Sequence, residues 1–205
     1  MKKLLMVALV LCLAPAAWAA TYNYGWEDCG TVFCTYISGQ MICTNAVAPD
    51  PIHSGLHSLR CEDAAPSGTP NSAWVWIQGL VEGDIVTGSF WRYDITPTGE
   101  PSARIWSHYY DGTTDPCTSN GSASGPSDYG PGLGWDQISW QVTVAAGHTG
   151  LVYEIRTYTN PGAVVWIDDA SVTVPDRGGI TVIWPAPGPS ATEETTWGSV
   201  KALYR

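Results

Sequence analysis

Arg104, Trp106, His108 and Tyr110 stand at alternate positions in "SARIWSHYYDG" (102–112). Alternate residues of an extended strand share a face, so one face here carries a guanidinium, an indole, an imidazole and a phenol. Ala103, Ile105, Ser107 and Tyr109 take the other face and read as core. The first face is too aromatic for a plain solvated surface and too polar for a core. Its chemistry suits a carbohydrate: pyranose C–H patches stack on aromatic rings, and hydroxyls take planar, bidentate partners such as arginine and carboxylate. Arginines there also suit acidic sugars or a carboxylate-bearing polymer.

The surrounding chain must supply a sheet. Helical periodicity is almost absent, Gly, Pro, Ser and Thr punctuate throughout, and period-two stretches recur at short intervals. Eight strands are expected, near 21–28, 57–63, 73–80, 84–95, 102–111, 136–146, 151–159 and 163–174. That pattern predicts an all-β jelly-roll sandwich of two antiparallel sheets over residues 20–175. Residues 29–56 read as a long ordered excursion or a small hairpin. Residues 111–135 are nearly all turn-formers, and so long a loop is usually functional or disordered. Residues 176–205 read as a Pro-rich linker and a C-terminal tail.

Ordinary jelly-roll order places the second, seventh, fourth and fifth of these strands in one sheet. Alternation then sends Arg60 and Glu62, Arg92 and Asp94, Arg104, and Glu154, Arg156 and Tyr158 to its outer face, with Trp91, Tyr93 and Ile95 in the core. Arg60, Arg92, Arg104 and Arg156 would thus gather with Trp106, His108 and Tyr110 on one platform, and Trp135 would stand at its rim. The plainer expectation is a cross-strand ladder in which these arginines pair with Glu62, Asp94 and Glu154. Trp74 and Trp76 share a face and, like Trp140 and Trp166, read as core packing or sheet covering.

The first residues set the compartment. Lys2-Lys3, the apolar run Leu4–Leu13 and Ala17-Trp18-Ala19 form a secretory signal peptide over residues 1–19, too short to span a bilayer. Its removal leaves seven Lys and Arg against 19 Asp and Glu, a formal net charge of −12 in place of −10. Nucleic acid and anionic lipid find no attraction on so acidic a chain. Five cysteines remain, an odd number, so at most two internal bridges form. Cys29 with Cys34, and Cys43 with Cys61, are the candidate pairs, leaving Cys117 as a bystander or an intermolecular partner. No zinc-type C-x2-C spacing occurs.

Four segments, in order and at suitable spacing, resemble the CenC-like carbohydrate-binding modules, which are galactose-binding-like jelly rolls: "NYGWED", "IHSGLHSLRCED", "GLVEGDIVTGSFWRYD" and "VVWIDDASVTV". The resemblance spans roughly residues 21–175; the cysteines and the 111–135 loop fall outside it. It implies non-covalent glycan binding and a structural calcium where the first and last strands meet, held by Glu27, Asp168 or Asp169, and carbonyls near Ser54. The alternative is that these acids bond loop amides. The tail "WGSVKALYR" resembles C-terminal tails on some exported bacterial proteins, which implies a sorting or anchoring system as its reader.

Catalysis has less behind it. No Gly-x-Ser-x-Gly elbow, HExxH or glycine-rich phosphate loop is present. Glu154 with Glu62 or Asp94 reads as a glycosidase pair, yet neighbouring arginines would hold both ionised and leave no acid. His108, Tyr110 and Arg104 match the base, acid and neutraliser of a polysaccharide lyase, without any lyase motif. The expectation is therefore a secreted, non-catalytic glycan-binding protein. A surface-structural or adhesive protein is the alternative, and a lyase or hydrolase the second.

Overall fold

Every stretch with period-two alternation becomes a strand. The computed structural model describes residues 19–36, 39–95, 103–112, 114–131, 133–157 and 161–188, and twelve strands lie among them. They are β1 (Ala19–Tyr24), β2 (Cys34–Thr35), β3 (Met41–Val47), β4 (His57–Asp63), β5 (Asn71–Gln78), β6 (Ile85–Asp94), β7 (Ala103–Tyr109), β8 (Gly121–Ser124), β9 (Gly134–Thr143), β10 (Gly150–Thr157), β11 (Val164–Pro175) and β12 (Thr181–Ile183). No helix occurs among the described residues, so none of them forms a helix long and apolar enough to cross a membrane. The signal segment up to residue 18, Tyr158 and the "WGSVKALYR" tail lie outside the described residues.

Two antiparallel six-stranded sheets pack face to face in a jelly-roll sandwich. The first runs β3-β4-β11-β6-β9, and the second β12-β5-β10-β7-β8 with β2 also on β5. Long β11 organises the first sheet: β6 lies along one side, while β4 and then β1 share the other. Leu59, Trp74, Phe90, Ile105, Leu151, Tyr153, Ile155 and Ile167 fill the space between the sheets and are fully buried. Tyr153 reaches across the core, its hydroxyl donating to the Val86 and Trp140 carbonyls at 3.0 and 3.1 Å. Its ring needs Gly88, where any Cβ would stand 2.8 Å from it.

Three expectations are corrected. The second, fourth, fifth and seventh expected strands do not share a sheet: β4 and β6 belong to the first sheet, β7 and β10 to the second. β4 joins the first sheet by pairing with β11, and β3, hidden in the cysteine-bearing excursion, adds to β4 along its whole length as the edge strand. From β4 onward the long strands then alternate between sheets. The phase of β6 is also inverted: Val86, Gly88, Phe90, Arg92 and Asp94 point inward and Trp91 and Tyr93 outward, while Ile95 is exposed. Finally, the ordered domain continues past 175. β12 joins the edge of β5, and Trp184 stacks on Tyr24 at 5.0 Å and on Trp74 at 6.1 Å.

Candidate functional site

On β7 and β10 the expected alternation holds. Arg104, Trp106 and His108 of β7, with Tyr110 just beyond it, face away from the core, as do Val152, Glu154 and Arg156 of β10. The register sets Glu154 opposite Trp106 and Arg156 opposite Arg104. β5 adds Asn71, Ala73 and Trp76. Trp74 and Trp76 were expected to share a face, but a bulge at Trp74, opposite the Tyr153–Glu154 step, parts them. Trp74 enters the core and Trp76 stays outside.

Half of this outer face is roofed. A Cys34–Cys117 disulfide, 83 residues apart in sequence, joins the 31–36 segment to the 115–118 turn. Neither expected pairing forms: Cys29 is free, and the Cys43 and Cys61 sulfurs face each other across β3 and β4 at 3.6 Å, unbridged. Spacing along the chain pointed to short loops, whereas the fold brings the two surface excursions together. Beneath the bridge, Phe33, Tyr36 and Ile183 pack on Ala73, Trp76, Tyr110 and Val152. The Tyr110 hydroxyl accepts the Asp115 N–H at 2.9 Å, and Tyr36 donates to the Pro116 carbonyl at 3.2 Å.

The roof leaves His108 and Glu154 only 3% and 2% exposed, with Nδ1 of the histidine bonded to Glu154 Oε1 and Tyr36 on the same ring. Arg156 reaches the second Glu154 oxygen at 3.1 Å, which Asn71 also bonds. Burial alone would push the Glu154 carboxyl up, but the bond and charge of His108, then Arg156 and Asn71, hold it below the ordinary carboxylate value. It is therefore ionised at neutral pH and has no proton to give. Neither Glu62 nor Asp94 can pair with it as a glycosidase acid and base, since both lie in the other sheet. His108 and Tyr110 are covered, which removes them from the lyase arrangement as well.

The other half of the face is only partly covered by the described residues. Trp106 carries the Arg156 guanidinium 4.3 Å from its ring centroid and that of Arg104 at 4.9 Å, and Tyr129 adds a second ring at 5.1 Å from Arg104. All four side chains are partly exposed. Tyr36, Asn71 and Tyr129 are site residues that the sequence did not disclose, because each comes from a segment read as loop or as strand end.

The remaining expected site residues lie elsewhere. Arg92 is 1% exposed and tied to Asp136 at 2.8–3.1 Å, to Asp128 at 3.2 Å and to the Ala103 and Asp128 carbonyls. It fastens the two sheets and the 126–131 loop, and takes no part in the partly covered face. Arg60 and Trp135 stand on the outer face of the first sheet, in the cross-strand row Thr44, Arg60, Trp166, Tyr93, Trp135. Arg60 pairs with Glu62 at 2.9 Å. Trp135 meets Tyr93 at 5.2 Å and His53 at 5.1 Å, and His53 stacks on Trp91 at 4.1 Å. The four-arginine platform does not form: Arg104 and Arg156 share the outer face of the second sheet, Arg60 stands on the outer face of the first, and Arg92 points into the sandwich.

Glu27, Ser54, Asp168 and Asp169 do converge, at a bulge of β11 where Asp169 has a φ of 44°. Their oxygens face the 53–57 loop. Glu27 accepts the Leu56 and His57 N–H groups at 2.9 and 3.2 Å, and Asp168 those of His53 and Ser54 at 2.8 and 3.1 Å. Asp169 accepts from the Ser54 hydroxyl at 2.6 Å and faces His53 Nδ1 at 2.6 Å. Burial pushes the Asp168 carboxyl up, against the amide bonds, and the Asp169 charge adds to the rise. Among the described residues no group of three or more His, Cys, Asp or Glu is spaced to hold a metal ion.

No protein-family model and no curated protein matches the sequence. Solved structures share its fold. The CBM22-1 xylan-binding domain of Paenibacillus barcinonensis Xyn10C is 14% identical with a TM-score of 0.51, covering 77% of this chain and 95% of that one. The tandem CBM22-1–CBM22-2 domain of the same protein is 12% identical, also at 0.51, over 76% of this chain and 46% of that one. The likeness at such identities is one of fold.

Proposed function

We propose that this chain is an exported, non-catalytic glycan-binding module, and that it binds at the partly covered half of the second sheet's outer face. One observation carries the reading: a partly exposed tryptophan lies between two arginines and beside an asparagine and an ionised glutamate, on rigid strands. Rigid placement matters because a shallow site gains affinity chiefly from groups that need no ordering on binding. The shared fold supports the reading, since the similar Paenibacillus domain is a xylan-binding one, as does the resemblance to CenC-like modules in the four quoted segments. Trp106, Arg104, Arg156, Asn71 and Tyr129 are the contact residues. Glu154, His108 and Tyr36 position them from beneath the roof. A disulfide and a signal-like start agree with an exported protein, and the C-terminal tail is assigned to a sorting or anchoring system.

The surface-structural reading draws on a different observation, the roof itself, which covers the middle of the face where His108 and Tyr110 stand. A panel of soluble and insoluble polysaccharides, offered to the mature chain and to Trp106→Ala, separates the two. The module reading expects binding that falls at least about tenfold in the variant, a loss of ~1.4 kcal/mol, while the melting temperature holds. Failure of the wild type to bind any polymer leaves the surface-structural reading.

A further inference from the structure

Five arginines are described, and four have a carboxylate within salt-bridge distance: Arg60 on Glu62, Arg92 on Asp128 and Asp136, Arg156 on Glu154, and Arg177 on Asp84. Arg104 has none among the described residues, in a chain with 19 acidic and 9 basic residues. Its guanidinium, with five N–H donors, makes one hydrogen bond among the described residues, to the Pro126 carbonyl at 3.1 Å. The buried Nε atoms of both Arg104 and Arg156 lack partners among the described residues. The two residues are also directly opposite in the β7–β10 register, and like charges so placed repel. The neighbouring carboxylate, Glu154, already serves His108, Asn71 and Arg156.

We infer that the Arg104–Arg156 pair takes the carboxylate of an acidic sugar, so that the ligand is a uronic-acid-bearing polysaccharide. This rests on the glycan reading above and narrows it. Both guanidiniums lie against the Trp106 ring, which offers that ring less freely to a neutral sugar and holds the two forks at fixed angles. A fork fixed in advance loses little freedom when it engages a carboxylate in two parallel hydrogen bonds. The added negative charge also relieves the repulsion between the arginines. The rest of the acidic surface repels a polyanion, so such a ligand is confined to this spot.

The test uses the full mature chain with polygalacturonate, the same polymer after carboxyl reduction, and neutral xylan, measured by calorimetry and affinity electrophoresis. Binding to polygalacturonate should fall ~10-fold or more on carboxyl reduction, as loss of a charge-assisted pair implies. Arg104→Gln should lose as much, with its melting temperature within ~4 °C of the wild type. Equal affinity for polygalacturonate and its reduced form, preference for xylan, or an Arg104→Gln protein that binds polygalacturonate undiminished overturns the carboxylate inference and leaves the glycan reading intact. Absence of binding to all three polymers, by a folded protein, overturns both.

Discussion

The two outer faces of this sandwich carry similar residues and use them in opposite ways. On the first sheet, Trp166, Tyr93 and Trp135 cross the strands in a row, Arg60 beside them is neutralised by Glu62, and His53 lies on Trp91. The rings there pack on one another, although the Trp166 indole N–H has no hydrogen-bond partner among the described residues. On the second sheet, a roof pinned by Cys34–Cys117 seals half the face over the hydrogen-bonded His108 and Glu154, and the other half leaves Arg104 without an acid among the described residues. Aromatic content alone does not separate a binding face from a covered one. What separates them is whether the arginine beside the rings has a carboxylate: Arg60 does, and Arg104 has none among the described residues.

The comparison breaks most sharply at the arginines. Arg92→Met removes the buried centre that Asp136, Asp128 and two carbonyls share, and should cost ~3–5 kcal/mol in urea unfolding. Arg104→Gln should cost less than ~1 kcal/mol, since one carbonyl bond and ring contacts are lost. Equal losses would mean that Arg104 is as structural as Arg92.

The roof comes next. Replacing both Cys34 and Cys117 by Ser should lower stability by ~2–4 kcal/mol, through the long loop that the bridge closes. The loss should come with faster hydrogen exchange at 33–36 and 115–118, and with unchanged exchange along the first sheet. Faster exchange spread evenly over both sheets would show that the bridge holds the whole fold and not a roof.

The smallest effect is expected at the acidic corner. Because amides already engage Glu27 and Asp168, calcium added after chelation should raise the melting temperature by less than ~2 °C, well short of the ~2.7 kcal/mol that a site at a hundred times its Kd supplies. A larger rise would show the acids turning from the loop to a cation.

Much of this was legible from alternation alone. The faces of β4, β7 and β10 follow from period two, because Leu59 and Cys61, Ala103, Ile105 and Tyr109, and Leu151, Tyr153 and Ile155 take one parity while Arg60, Arg104, Glu154 and Arg156 all take the other. β6 has aromatics on both parities, Phe90 against Trp91 and Tyr93, so its phase is set by tertiary fit: Phe90 packs edge-on to Trp74 at 5.9 Å, and Arg92 meets Asp136. Trp74 and Trp76 illustrate a second limit. A bulge adds a residue that no pattern of two can register. The roof was illegible for a third reason: Cys34 and Cys117 look unrelated until the two loops fold over the same sheet, and the shorter spacings of the other cysteines are the more natural guess. The resemblance brought Glu27, Ser54, Asp168 and Asp169 to one corner correctly, while the hydrogen bonds they make there depend on a loop whose path only the structure gives.

The Cys34–Cys117 bridge has a mechanical consequence. A chain held at both ends and pulled cannot extend the 83 residues inside the covalent ring, which withholds ~290 Å of contour length at ~3.5 Å per residue. That ring takes in β3 to β7, with strands from both sheets. Force applied at the termini therefore extends only the chain outside the ring, with β1 and β8 to β12, and a protein tethered at one end and loaded at the other would yield by that shorter amount until the bridge is reduced.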